Sequence, residues 1–229
     1  NYISKEAILL FIAVTGFFTA RSFGRTKGIW TVAIGVIIFA VFIRTYYILP
    51  IFATALVLWL GWQRGIILIL IGIALSMLVF PKPFIMLEES RQTMYYVNVY
   101  KFNARSVFPY LNQDADLPMQ LRSVINYGIV LFDTLFPLTW TDTIKDIFAQ
   151  MFFLSLVGLC IVAIRKGDRV FSAFGVFVVL TVPFFVPDLG TAMRHTSAAA
   201  TFLLLGIAFR TLDEGRAHPF RPTQVYPVF

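Results

Sequence analysis

The chain has 229 residues, 59% of them hydrophobic and 14% charged, with 25 Phe, a mean hydropathy of +0.80 and a formal net charge of +7. Soluble domains run at roughly 45–50% apolar and about 25% charged residues, so this chain lacks the polar shell of a water-soluble core and reads as an integral membrane protein. Cys160, in the run GLCIVAI, is the lone cysteine, which excludes a disulfide framework and a cysteine-based zinc site.

Apolar runs at 6–20, 28–43, 46–62, 65–80, 147–164, 170–185 and 196–209 predict about seven transmembrane helices in an all-α, polytopic fold. Each is somewhat short of the roughly 20 residues of an ideal span, a deficit that snorkelling Arg and Lys and interfacial Trp and Tyr absorb. Helix is expected over strand, because a bilayer offers no water to an open strand edge and no ten-residue alternation of barrel type is present. The first run, KEAILLFIAVTGFFTAR, lacks the small-residue cleavage pattern of a signal peptide. It reads as a continuation, so residues preceding Asn1, or an additional chain, are expected to complete the unit.

If the spans alternate, Arg21, Arg25, Lys27, Arg64, Arg165, Lys166, Arg169 and a tail at 210–229 with Arg210, Arg216 and Arg221 fall on one side. The positive-inside rule makes that side cytoplasmic. The outer side then carries Arg44, the long segment 81–146 and the stretch VPDLGTAMRH at 186–195, within a single transmembrane domain. The positive charge is topology and does not point to nucleic acid, since no basic and aromatic interleaving marks a water-facing domain.

Arg44, in FIRTYYILP, stands between two runs with no Gly beside it: it marks either a very tight interfacial turn or a cation held in a cavity. Arg64 is explained by snorkelling at a cytoplasmic turn. The segment 81–146 opens on the helix breakers Pro81 and Pro83 and is rich in Tyr, Asn, Gln and both signs of charge, which suits sugar stacking and a membrane interface equally. Within it, MYYVNVYKF fits one short strand or one interfacial helical turn. The run INYGIVLFDTLFPLTWTDT at 125–143, broken by Asn126, Asp133 and Pro137, is expected as a re-entrant or interfacial element facing a wet cavity.

Arg194 and His195 are expected to open the last helix. A cation there opposes the macrodipole, so Arg194 calls for an anion: either Asp188 within the loop, or a phosphate held by the guanidinium with Gly190 and the helix amides. His195 is either a general base or an interfacial polar residue, and His218 in the tail gives it no metal-binding partner, so no metal is expected. Acids on this face, among them Glu88, Glu89, Asp114, Asp116, Asp142, Asp146 and Asp188, are read as mostly solvating. Asp133 stands apart by sitting in an apolar run, as a helix cap, a salt-bridge partner or a catalytic acid or base. Nucleotide loops, GxSxG and HExxH are absent from the sequence.

The order LFDTLFPLTW, a span, a basic turn, a second span and DLGTAMRH opening the last helix resembles the C-terminal portion of bacterial polysaccharide-assembly membrane proteins. These are the O-antigen and capsule repeat-unit polymerases and related lipid-linked-sugar glycosyltransferases. Phe132, Pro137 and Trp140 match an "LFGPFPW"-like element, and Gly190, Thr191 and Arg194 match an "NxGTxxRxR"-like motif, with Asp188 in place of Asn and Thr196 in place of the second basic residue. The resemblance covers roughly 46–209 by organisation and a dozen residues by identity. It implies transfer or polymerisation of polyprenyl-pyrophosphate-linked glycans at the outer face of the bacterial inner membrane, without metal, nucleotide or other cofactor. It further implies substrate binding by Arg44, Gly190, Thr191 and Arg194, and proton handling by Asp133, beside which His195 stays a candidate base from its own chemistry. Two other classes fit the intramembrane charges: a transporter or flippase of a lipid-linked or anionic substrate, and a non-catalytic membrane subunit.

Overall fold

The computed structural model describes residues 5–97, 117–135, 144–182, 185 and 189–217. These residues form nine α-helices and no strand, so the protein is an all-α membrane protein. The helices are α1 (Lys5–Phe23), α2 (Arg25–Phe42), α3 (Ile48–Leu60), α4 (Trp62–Val79), α5 (Lys82–Tyr96), α6 (Met119–Leu135), α7 (Ile144–Lys166), α8 (Arg169–Thr181) and α9 (Leu189–Ala217), with one 3-10 turn at Thr45–Tyr47.

Helices fall at all seven predicted spans, in two classes. Five are long and apolar enough to cross a bilayer: α1, α2, α4, Ile147–Lys166 of α7 and Ala192–Glu214 of α9. Thr45–Leu60 and Arg169–Thr181 are shorter. At 1.5 Å per residue, the 13 residues of α8 extend about 20 Å, against a hydrocarbon core of roughly 30 Å. Its surroundings resolve the shortfall. Phe171, Ala173, Phe174, Gly175, Phe177, Val178 and Val179 are all buried, so α8 is apolar on every side because protein surrounds it on every side.

α8 packs closely on α9, where a Cβ added to Gly175 would stand 2.7 Å from Leu203 Cγ, and Phe174 meets the Phe202 ring edge-on at 4.7 Å. Small residues also join α1 to α2: a Cβ on Gly28 would lie 2.7 Å from the Gly16 carbonyl and 2.9 Å from Ala20 Cα. In lipid, where burying apolar surface gains little, such close backbone approach supplies the attraction between helices. α1 also packs on α9, α7 on α9, and α3 on α8. α4 leans on α3 alone among its substantial neighbours, and Gly65 is its one buried residue.

At one pole of the bundle Asp168 fastens three helices. Its carboxylate caps α8 by accepting from Val170 N (2.9 Å), its own amide donates to the Gly206 carbonyl of α9 (2.8 Å), and it pairs with Arg25 of α2. Arg25 also reaches Asp213 at 3.1 Å. The ends of α1, α7 and α9 and the starts of α2 and α8 thus gather their basic residues here.

Several expectations are corrected. Pro81 and Pro83 do mark a break, since α4 ends at Val79, and they also start α5, as proline does in a first helical turn. Met94, Tyr95 and Tyr96 are helical, and the rest of MYYVNVYKF from residue 98 lies outside the described residues. The run at 125–143 is unbroken as far as Leu135, inside a helix that begins at Met119. Pro137, Trp140 and the rest of 136–143 lie outside the described residues, as do Asp114, Asp116 and Asp188. The last helix begins at Leu189, so Gly190 and Thr191 belong to its first turn and Arg194 and His195 follow them inside the helix. The macrodipole fades beyond the first turn, which removes that argument for an anion beside Arg194. The helix continues to Ala217, so the first part of the expected tail is helical.

Candidate functional site

At the pole opposite Asp168, the start of α1, the end of α2 and the early turns of α9 meet around Tyr46. The link between α2 and α3 is as tight as the absence of glycine allows. Arg44 N donates to the Phe39 carbonyl at 3.0 Å, and Tyr47 N donates to the Arg44 carbonyl at 3.0 Å, closing the 3-10 turn. This turn sends Tyr47 into the core, 2% exposed and edge-on to Phe39 at 5.3 Å. Tyr46 faces the pole, stacked between Tyr47 (4.9 Å) and Phe185 (5.1 Å).

Three charged or titratable side chains converge on that ring. The Tyr46 hydroxyl lies 3.2 Å from His195 Nδ1, and His195 is 6% exposed. Glu6 Oε1 lies 3.4 Å from the same nitrogen and 3.8 Å from Arg44 Nη2. Arg44 Cζ stands 5.7 Å from the Tyr46 ring centre, a cation–π distance. Arg194 is exposed at the same pole, and the charges of Arg44, Glu6 and Arg194 all act on the Tyr46 phenol. A nitrogen flanked by a phenol and a carboxylate is held as the Nδ1–H tautomer when it donates to the carboxylate, which leaves the Nε2 lone pair as acceptor. Among the described residues of this pole the guanidiniums of Arg44 and Arg194 outnumber the Glu6 carboxylate, electrostatics that suit an anion.

The structure thus brings Arg44, Arg194 and His195 together. Arg44 lies in a tight turn, as one reading of it has it, with its side chain 25% exposed. Gly190 and Thr191 lie one turn before Arg194 in α9, and their side chains lie outside the described residues. Asp133 stands apart on α6, which packs chiefly on α5 and α7, helices that supply none of the cluster. It is buried, its Oδ2 has no hydrogen-bond partner among the described residues, and burial raises its carboxyl above the usual carboxylate range.

Two sets of residues escape the sequence reading. Glu6 reads there merely as the start of a span, although an acid at the edge of an apolar run is a functional suspect by default. The other is a polar seam between α5 and α6. Glu88, expected to be solvating, is fully buried and accepts from Asn126 Nδ2 at 2.9 Å; Glu89 beside it is exposed. Arg91 and Gln92 share the seam with Arg122 and Ser123, and Tyr127 ties it to α8 by donating to the Leu180 carbonyl at 3.0 Å. The signal was available: Glu88, Arg91 and Gln92 are spaced i, i+3, i+4, a helical stripe of polar residues.

The chain matches no protein-family model, no curated protein and no solved structure. Geometry and chemistry therefore carry the functional reading.

Proposed function

We propose that this protein transfers or polymerises lipid-linked oligosaccharide repeat units at the outer face of the bacterial inner membrane, using the Tyr46 pole as its reaction site. The observation that carries the reading is the convergence of Arg44, from the α2–α3 turn, and Arg194, from α9, on one ring that also contacts a buried histidine. Planar guanidiniums suit a diphosphate, and the aromatic face of Tyr46 suits a sugar. In the reaction an acceptor hydroxyl attacks the anomeric carbon of the donor glycan. The bond to the polyprenyl pyrophosphate breaks, and its electron pair leaves with the diphosphate. Arg44 and Arg194 take up the charge that grows there, and Nε2 of His195 receives the hydroxyl proton. Asp133, on α6 and away from the cluster, is the weaker candidate for that proton.

The test is incubation of the purified protein with undecaprenyl-pyrophosphate-linked repeat units, reading products by gel mobility and mass. Longer glycans are expected, with rates falling about 10²–10³-fold in Arg194→Ala, the loss typical of one transition-state donor. Tight binding without turnover would assign the protein to transport, and no binding at all would make it a non-catalytic subunit.

A further inference from the structure

We infer that Glu6 is a resident counter-ion, a carboxylate of the protein's own that occupies the anion site and that an incoming diphosphate displaces from Arg44. The inference rests on the reading of the Tyr46 pole as a diphosphate site and adds what holds that site before substrate arrives.

Three features of Glu6 support it. Glu6 Oε1 lies between two nitrogen groups, at 3.8 Å from Arg44 Nη2 and 3.4 Å from His195 Nδ1. Charge-assisted N–H···O bonds close to about 2.7–2.9 Å and Arg binds carboxylates with two parallel bonds, so this contact uses neither the reach nor the fork of Arg44. Second, the contact lies near the surface: the Glu6 side chain is 17% exposed and that of Arg44 25%, so neither is locked in the core. Third, Glu6 lies in the first turn of α1. The amides of a helix start favour negative charge, so a carboxylate swung away from Arg44 keeps a favourable field and the exchange costs little.

The arrangement also sorts ligands. A monoanion at the pole merely replaces one negative charge with another. A diphosphate brings more charge than it displaces and has oxygens enough for Arg44 and Arg194 together. Glu6 thereby sets a threshold of charge that an occupant has to exceed.

The experiment measures binding of two probes, inorganic pyrophosphate and farnesyl pyrophosphate, to the whole protein in lipid nanodiscs by calorimetry. The variants are Glu6→Gln, Glu6→Asp, Arg44→Ala and the double variant Glu6→Gln/Arg44→Ala. Removing the competing charge is expected to tighten binding about tenfold in Glu6→Gln. Glu6→Asp, which keeps the charge, is expected to stay near the wild type, and the double variant to bind no tighter than Arg44→Ala. A gain in affinity is a result that misfolding does not produce. A gain for both probes assigns recognition to the diphosphate alone, and a gain confined to farnesyl pyrophosphate assigns it to the lipid-borne group. Wild-type binding that is unchanged or weakened in Glu6→Gln overturns the counter-ion and leaves the diphosphate site standing. Absence of binding in wild type and Glu6→Gln alike overturns both.

Discussion

At the scale of single residues, burial decides what a charge does. Asp133 and Glu88 are both buried acids of the α5–α6 pair, and Glu88 accepts from Asn126 through Oε1, whereas the Asp133 carboxyl is governed by desolvation. With its carboxyl raised by desolvation, Asp133 binds its proton more tightly folded than unfolded. Its contribution to stability is therefore full below an unfolded value of about 3.9 and is lost as pH rises through the raised folded value. Asp133→Asn should remove that loss: melting curves of the purified protein from pH 4 to 8 should show wild type falling relative to the variant as pH rises. Identical slopes would mean that the carboxyl is not held above its ordinary range. Glu88 and Glu89 are adjacent and of one type, and the phase of α5 buries the first and exposes the second.

Elements show where sequence reading succeeds and where it stops. Hydropathy located all seven apolar helices because it measures the property a bilayer selects. It did not separate the spans from α3 and α8, whose shortness is compensated by neighbours far along the chain. Arg44 and Arg194 were legible as suspects because cations at the edges of apolar runs are costly, whereas the meeting of Glu6 with His195 depends on how α1 lies against α9. Nor did hydropathy find the close α1–α2 contact, which depends on small side chains facing one another. A large side chain on Gly28 would force those helices apart, since even a Cβ there meets the Gly16 carbonyl at 2.7 Å. Gly28→Leu should therefore lower the melting temperature and weaken ligand binding at the Tyr46 pole, because α1 carries Glu6 and α2 leads into Arg44. Gly72 on α4, where an added Cβ has no neighbour within 4 Å, provides the control: Gly72→Leu should change neither.

Across the whole molecule, burial is graded from a protein-wrapped centre to a lipid-facing margin. Phe202 is 0% exposed at the α8–α9 seam, while Leu75 on α4 is 55% exposed. Truncating the first should cost about 3–5 kcal/mol, as expected when a large ring leaves a cavity. Leu75→Ala should change stability by less than about 0.5 kcal/mol, a contrast readable in denaturation by detergent titration. The same gradient bears on how the protein is made. α8 is synthesised before α9, the helix that covers most of it, and is too short to find shelter in lipid alone. During biosynthesis the membrane-insertion machinery therefore has to retain α8 until α9 emerges, and the two enter the bilayer as a pair. In a Cys160→Ser background, a cysteine at Val176 should react with a water-borne thiol reagent in ribosome-bound chains in which α8 has left the ribosome and α9 has not. It should become protected once α9 too has left the ribosome, and protection already in the shorter chain would show that α8 enters by itself.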